Sequence, residues 1–386
     1  MIINDYLAKV IKAHIEGNDL PVWDNDQETD NIIDVAKRNQ ITYMVFTAML
    51  KKDRLSEETA EKLRNVVKND VFLTLIQLNE LKKIVSAFEE NQVKNMPMKG
   101  SVIKYIYKRP ELREMSDIDI LIDEDDTEKA GTVLKSMGYK LNCSIKHHDI
   151  YSKGGILVEA HKSLYDKTVD NNQYKYFLGF DKAVLCDGYK YTYEFKPEDF
   201  YVYMLAHAAK HFYAMGCGIR NLADIYVYLT RYGKQMDRDY VDNELEKCGL
   251  SDFAKHMEIL AFDWIDGKEL DDFYLSLLNY MLDAGIYGKD ENGIWNKFAD
   301  EKKDKISRFE LKRWYYFPPL YYMSEYYPWL DDHNWLLPIA WMIRFFRGVF
   351  LHKGKKKRAF VKNIKEDQII TYKRIYQKMN LSFSSK

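Results

Sequence analysis

The sequence predicts an α+β protein: a small mixed sheet with flanking helices, set between helical N-terminal and C-terminal regions. Two observations carry this. Apolar residues recur at helical spacing before about residue 92 and again after about 197. Between them, short β-branched runs alternate with short helical stretches, the texture of a compact unit of about 100 residues.

The elements follow in order. In 1–92, Leu7, Val10, Ile11 and Ile15 mark a first helix; 32–38 and 42–51 supply two more. Ser56-Glu57-Glu58 opens a long run to Glu90, with an expected apolar stripe of Leu63, Val67, Phe72, Leu75, Leu78, Leu81, Ile84 and Phe88. In 93–196, a strand over 93–98 ends at Lys99-Gly100-Ser101, and 102–108 reads as a helix. A β-branched strand covers 117–122, and the helix over 126–137 is stopped by Gly138. Strands are expected at 139–142, 148–152 and 156–161, with Gly154-Gly155 turning between the last two. In 197–306, Pro197-Glu198-Asp199 is a helix start, a proline followed by acids in the first turn. Helical runs continue at 203–215, 222–232, 240–247, 253–264 and 273–284. The last region, 307–386, is rich in Trp, Tyr, Phe and Pro and carries a basic tail.

Composition limits the function. Among 386 residues, 58 Lys+Arg face 59 Asp+Glu, a net charge of −1, which argues against binding long nucleic acid through one large basic face. Aromatics at 15% exclude disorder as the main state; the 30 tyrosines and seven tryptophans supply core area first and stacking surfaces second. Cys143, Cys186, Cys217 and Cys248 are widely spaced, so neither a disulfide framework nor a zinc ribbon is expected. The start Met1-Ile2-Ile3-Asn4-Asp5 lacks a basic segment leading into an apolar one, and no stretch offers about 20 uncharged apolar residues. A cytoplasmic location is the expectation.

The chemistry concentrates between residues 99 and 161. Asp117 and Asp119, at i and i+2 of a strand, share one face while Ile118 and Ile120 turn into a core. Adjacent carboxylates repel unless a cation lies between them, and oxygen ligands favour Mg²⁺ or Mn²⁺. Gly100-Ser101, sixteen positions upstream of Asp117, follows a strand and opens a helix, the arrangement of a phosphate cradle. Glu159, one acid in an apolar strand, is placed to join the pair. Lys99 adjoins the cradle. Arg113 either contacts phosphate or pairs with Glu111 or Glu114. His161 shares a strand face with Glu159, where it orients a carboxylate, reaches substrate or is a satisfied core histidine.

His207 and His211 share a helix face, but the run between them is Ala208-Ala209-Lys210, without the glutamate of a zinc-protease helix. Arg220 and Asp224 are also four apart. They form either a helix ion pair or part of a face that closes over a nucleotide with Arg220 near phosphate. At the C-terminal end the apolar run 335–351 meets His352-Lys353-Gly354-Lys355-Lys356-Lys357-Arg358. That combination either docks weakly at an anionic membrane surface or packs on the preceding aromatics, 314–327, with a solvated tail.

These residues resemble the polymerase β-like nucleotidyltransferase superfamily, and within it the bacterial "uncharacterised nucleotidyltransferase" family. The likeness is carried by Met98-Lys99-Gly100-Ser101, by Tyr107, Pro110 and Arg113, by Ser116-Asp117-Ile118-Asp119-Ile120-Leu121-Ile122, by Gly138-Tyr139 and by Val158-Glu159-Ala160-His161. It continues in His207, His211, Gly218, Arg220 and Asp224-Ile225, and spans about 30–350, most strongly 96–161. The stretch between Ser101 and Asp117 is slightly longer than in many members of the superfamily.

The resemblance implies a nucleotidyltransferase-type sheet and transfer of a nucleoside monophosphate from an NTP, ATP first, with release of pyrophosphate. It makes Asp117 and Asp119 the Mg²⁺ ligands, Glu159 the third carboxylate and Gly100 and Ser101 the grip on the triphosphate. The acceptor is open, with a small molecule or a protein favoured. The alternative is a catalytically inactive nucleotide-binding or scaffold member, at the membrane or free of it.

Overall fold

The structure, a computed structural model, describes residues 2–51, 55–144, 147–165, 171–289, 292, 308–320, 323–324, 327–330, 332–350 and 365–381. The chain forms two compact units, Met1–Gly288 with Met379–Lys386, and Lys289–Lys378. The expected boundaries at 92/93 and 196/197 both fall inside the first unit.

That first unit is α+β. Helices α1 (Ile3–Glu16), α2 (Thr29–Asn39) and α3 (Thr42–Met49) precede the long α4 (Glu57–Glu90). Helix α1 buries Tyr6, Leu7, Val10 and Ile11 and ends at Gly17. The N–H of Gly17, at φ 80°, returns to the Ala13 carbonyl, a glycine-type cap. Ser56 caps α4 by accepting from the Thr59 N–H.

The buried face of α4 differs from the expected stripe. Phe72 and Leu75 are 65% and 61% exposed, whereas Thr74, Gln77 and Glu80 are buried. The covered positions keep a 4-3-4-3 spacing through Leu63, Val67, Asp70, Thr74, Gln77, Leu81, Ile84 and Phe88. The middle of that face is polar because it meets polar partners. Gln77 Nε2 donates to the Met115 carbonyl, Lys104 donates to Thr74 Oγ1, and Tyr139 and Lys153 donate to Glu80.

Strands β1 (Asn95–Pro97), β2 (Ile118–Ile122), β3 (Lys140–Ser144), β4 (His148–Lys153) and β5 (Ile156–His161) form one sheet in the order β1-β2-β5-β4-β3. Only β2 and β5 are parallel. Alternation sorts their side chains. Ile118, Ile120, Val158 and Ala160 join Leu81, Ile84 and Phe88 of α4 and Leu134 of α6 (Thr127–Ser136) in one core, while Asp119, Glu159 and His161 take the opposite face.

The turn after β1 also departs from expectation. Helix α5 spans only Gly100–Ile103, in place of a helix over 102–108. After the short helix α7 (Asn171–Tyr176), a two-stranded sheet that the sequence did not announce follows, β6 (Ala183–Leu185) with β7 (Tyr193–Phe195). Helices α8 (Pro197–Met215), α9 (Arg220–Tyr232), α10 (Arg238–Lys247), α11 (Ser251–Ile265) and α12 (Asp272–Ala284) complete the unit, with Pro197 at the start of α8 as expected.

In the second unit, the helix Leu337–Phe350 lays one face on the aromatic run before it. Trp341 Nε1 donates to the Pro318 carbonyl and Arg344 to the Tyr315 carbonyl. Ile339, Met342 and Phe346 are exposed. The basic run 352–358 lies outside the described residues. No helix among them is long and apolar enough to cross a membrane.

Candidate active site

A cavity of about 300 Å³ opens on the polar face of the β2–β5 pair, bounded by α8, α9 and the turn after β1. Parallel pairing sets Asp119 directly beside Glu159. Side chains two apart share a face, so His161 joins them. His161 Nε2 lies 2.8 Å from Asp119 Oδ1 and 3.3 Å from Glu159 Oε2. One ligand atom from each of the three falls within 4.8 Å of the others. Asp117, immediately before β2, lines the same cavity but is not part of that trio. The group that could hold a metal ion among the described residues is therefore two carboxylates and an imidazole.

Charge is arranged unevenly across this group. Burial, Asp119 and Glu159 push Asp117 up to about 7. Burial would raise Asp119 too, but the Lys99 ammonium and His161 outweigh it and hold that carboxyl at about 2. The hydrogen bond from His161 lowers Glu159. Lys99 Nζ stands 2.6 Å from Asp119 Oδ1 and 3.4 Å from His161 Nε2. The donor set fits a divalent cation: mixed carboxylate and imidazole ligands suit Mn²⁺, and the oxygens suit Mg²⁺. In addition, His161 Nδ1 is buried without a hydrogen-bond partner among the described residues.

The cradle is built differently from the expectation. Ser101 is buried on α5 with its hydroxyl directed at Met115 Sδ, 3.8 Å away, and it does not line the cavity. Starting the helix at Gly100 turns Ser101 toward the interior. Gly100 does line the cavity, but a Cβ there would meet Met115 Cγ at 2.8 Å. Its glycine requirement thus traces to Met115 as much as to open space for a ligand. Four residues also make too short a helix for a substantial end dipole.

Arg113 lines the cavity but takes neither of its expected carboxylate partners. Its guanidinium grips Asp224 at 2.9–3.1 Å, and Nη1 donates to the Glu114 carbonyl at 2.6 Å. Asp224 also accepts from Tyr107 Oη at 2.8 Å. Asp224 is therefore tied to the segment between α5 and β2, and the i,i+4 pair with Arg220 does not form among the described residues. Arg220 donates to Gln40 Oε1 and to the Glu114 carbonyl, and its buried Nε has no partner among the described residues. Burial and the nearby Arg113 lower its pKa to about 10. Arg220 as a residue lines the cavity.

His207 and His211 line the wall, Nε2 to Nε2 at 3.1 Å. Burial lowers both. His207 is further lowered by His211, and His211 falls to about 4 with Lys99 as its next cause. They are neutral imidazoles at neutral pH. The cavity also recruits Gln40, Met115, Tyr203 and Tyr287, none of which carries a motif by which the sequence could have marked it.

A family model described as "Uncharacterised nucleotidyltransferase" matches residues 25–266, more than half of the chain. No curated protein and no solved structure matches.

Proposed function

Since the chain belongs to the uncharacterised nucleotidyltransferase family, we propose that it transfers a nucleoside monophosphate from an NTP, ATP first, to an acceptor hydroxyl or similar nucleophile and releases pyrophosphate. The observation that supports this best is the side-by-side placement of Asp119 and Glu159 on parallel strands, with Asp117 and the cations Lys99 and Arg220 around one cavity. Asp119, Glu159 and His161 would hold the metal, with Asp117 beside them. Bound Mg²⁺ or Mn²⁺ supplies charge neutralisation for the attacking and leaving oxygens.

The chain's own groups supply position. Arg220 brings a positive charge to the cavity wall for the phosphates, and Gly100 brings backbone without a side chain to the same wall. Asp117 lines the cavity beside Asp119 and Glu159, where its carboxylate is placed to accept the acceptor's proton. The neutral pair His207 and His211 donates and accepts without adding charge. In-line attack at the α-phosphorus forms the new P–O bond as the bond to pyrophosphate breaks. The acceptor is proposed to be a small molecule or a protein side chain.

A second reading is favoured by one contact. Lys99 already neutralises Asp119, so a member that binds nucleotide without turning it over would need no further change. Incubation with α-labelled NTP, Mg²⁺ or Mn²⁺ and an acceptor panel separates the two. Labelled acceptor supports transfer, and tight NTP binding with no labelled product supports the second reading. Transfer that survives D117A together with D119A would remove the site assignment.

A further inference from the structure

We infer that Tyr287 is the platform on which the planar ring of a purine nucleotide stacks, an inference that rests on the nucleotidyl-transfer reading. Tyr287 follows α12 and lies beyond the family match. It lines the same cavity as Asp117, Asp119 and Glu159, yet it is 64% exposed. A large aromatic surface left open beside a polar, cation-bearing cavity suits a ligand with a charged end and a flat apolar end. Nucleotides have that chemistry, and every base presents a π face.

The platform is fixed in advance. The Tyr287 hydroxyl meets Ser116 Oγ and accepts from Gln40 Nε2 at 2.7 Å. Ser116 is the chain neighbour of Asp117, and Gln40 Oε1 accepts from Arg220. The ring is thus tied through its hydroxyl to the carboxylate side and, by way of Gln40, to Arg220.

Its backbone is seated too. Ile286 N–H donates to the Arg38 carbonyl at 2.9 Å. Gly285 and Gly288 adopt φ +67° and +66°, where a Cβ would lie 2.8 Å from the Arg38 oxygen and 2.5 Å from the Met215 oxygen. Only glycine fits either place, and the loop packs closely against the ends of α2 and α8. A ring held this way loses little further freedom when a base stacks on it. The larger faces of purines gain more from it than those of pyrimidines.

Calorimetry on the full chain tests this with two probes, Mg·ATP and Mg·tripolyphosphate. Y287A is expected to weaken Mg·ATP by about 5- to 100-fold, the range for loss of one base–aromatic stack, and to leave Mg·tripolyphosphate within about twofold. Y287F, which keeps the ring and drops the hydroxyl, is expected to stay within about fivefold for Mg·ATP, well above Y287A. Equal losses for both probes would mean that Tyr287 acts through Ser116 and Asp117, and would overturn the inference. Unchanged Mg·ATP affinity in Y287A would overturn it as well, leaving the ring to an acceptor. Wild-type protein that binds tripolyphosphate but gains nothing from the adenosine overturns this inference alone. Wild-type protein that binds neither probe removes the nucleotide reading and this inference together.

Discussion

Lys99 Nζ and Asp119 Oδ1 are 2.6 Å apart, and the backbone that brings them together is one that lysine rarely adopts. Lys99 sits at φ 49°, ψ −123°, in a turn closed by the Ser101 N–H on the Met98 carbonyl. That is the glycine position of a hairpin-type turn, and a non-glycine residue there costs on the order of 1–3 kcal/mol. The ion pair offsets the cost, placing an ammonium where the carboxylates most need a cation.

K99M leaves Asp119 buried without its ammonium partner, with His161 as its remaining contact. Loss of about 3 kcal/mol is expected in urea unfolding, within the range for breaking a buried pair. Millimolar Mn²⁺ should restore a larger share of stability in K99M than it adds to the wild type. Equal Mn²⁺ effects in the two proteins would show that Lys99 and the cation do not compete for these carboxylates.

His161 touches both Asp119 and Glu159. H161A removes one of the three groups proposed to hold the cation and is expected to lower Mn²⁺ affinity by at least about 10-fold, no less than the loss of an outer-shell partner costs. Electron paramagnetic titration of nucleotide-free protein reads this directly, and unchanged affinity would place the cation elsewhere.

Arg113 and Asp224 join the core loop to α9 through a buried fork. Either R113M or D224N should destabilise by about 3–5 kcal/mol, because each leaves one charge buried alone. The double change R113M with D224L should cost clearly less than the two single changes summed. Additive losses in denaturant melts would mean that the pair does not act as a unit.

Glu80 gives a pH signature. Burial would raise its carboxyl, but Lys83, Lys153 and Tyr139 outweigh burial and pull it from 4.5 down to about 2. A carboxylate lowered on folding stabilises fully above its unfolded pKa, and that contribution fades as pH falls through the folded value. E80Q should therefore be less stable than wild type by about 1–2 kcal/mol at pH 7, after allowance for partial solvent screening. The gap should close between pH 4.5 and 2; a gap constant over that range would assign the effect to packing.

The β2 and β5 strands were readable because one face had to be apolar. Ile118, Ile120, Val158 and Ala160 alternate with Asp119, Glu159 and His161, and alternation alone assigns the faces. The buried face of α4 was not readable, because a search for apolar periodicity selects Phe72 and Leu75 over Asp70, Thr74 and Gln77. Burial there is decided by partners from distant segments, Lys104 and Met115. Ser101 lies buried for a local reason, the helix starting two residues earlier than its apolar pattern suggests.

Residue order by itself determined the α+β class, the helix start at Pro197 and the acids that share a strand face, since each follows from periods and dihedral preferences within a few neighbouring residues. Tertiary structure alone decided that Arg113 takes Asp224 while Arg220 turns to Gln40 and the Glu114 carbonyl, that Lys99 lies against Asp119, and that Tyr287 borders the cavity. Those pairings join residues from about 20 to nearly 250 positions apart. Their partners are chosen by strand register and helix docking, which no local pattern encodes.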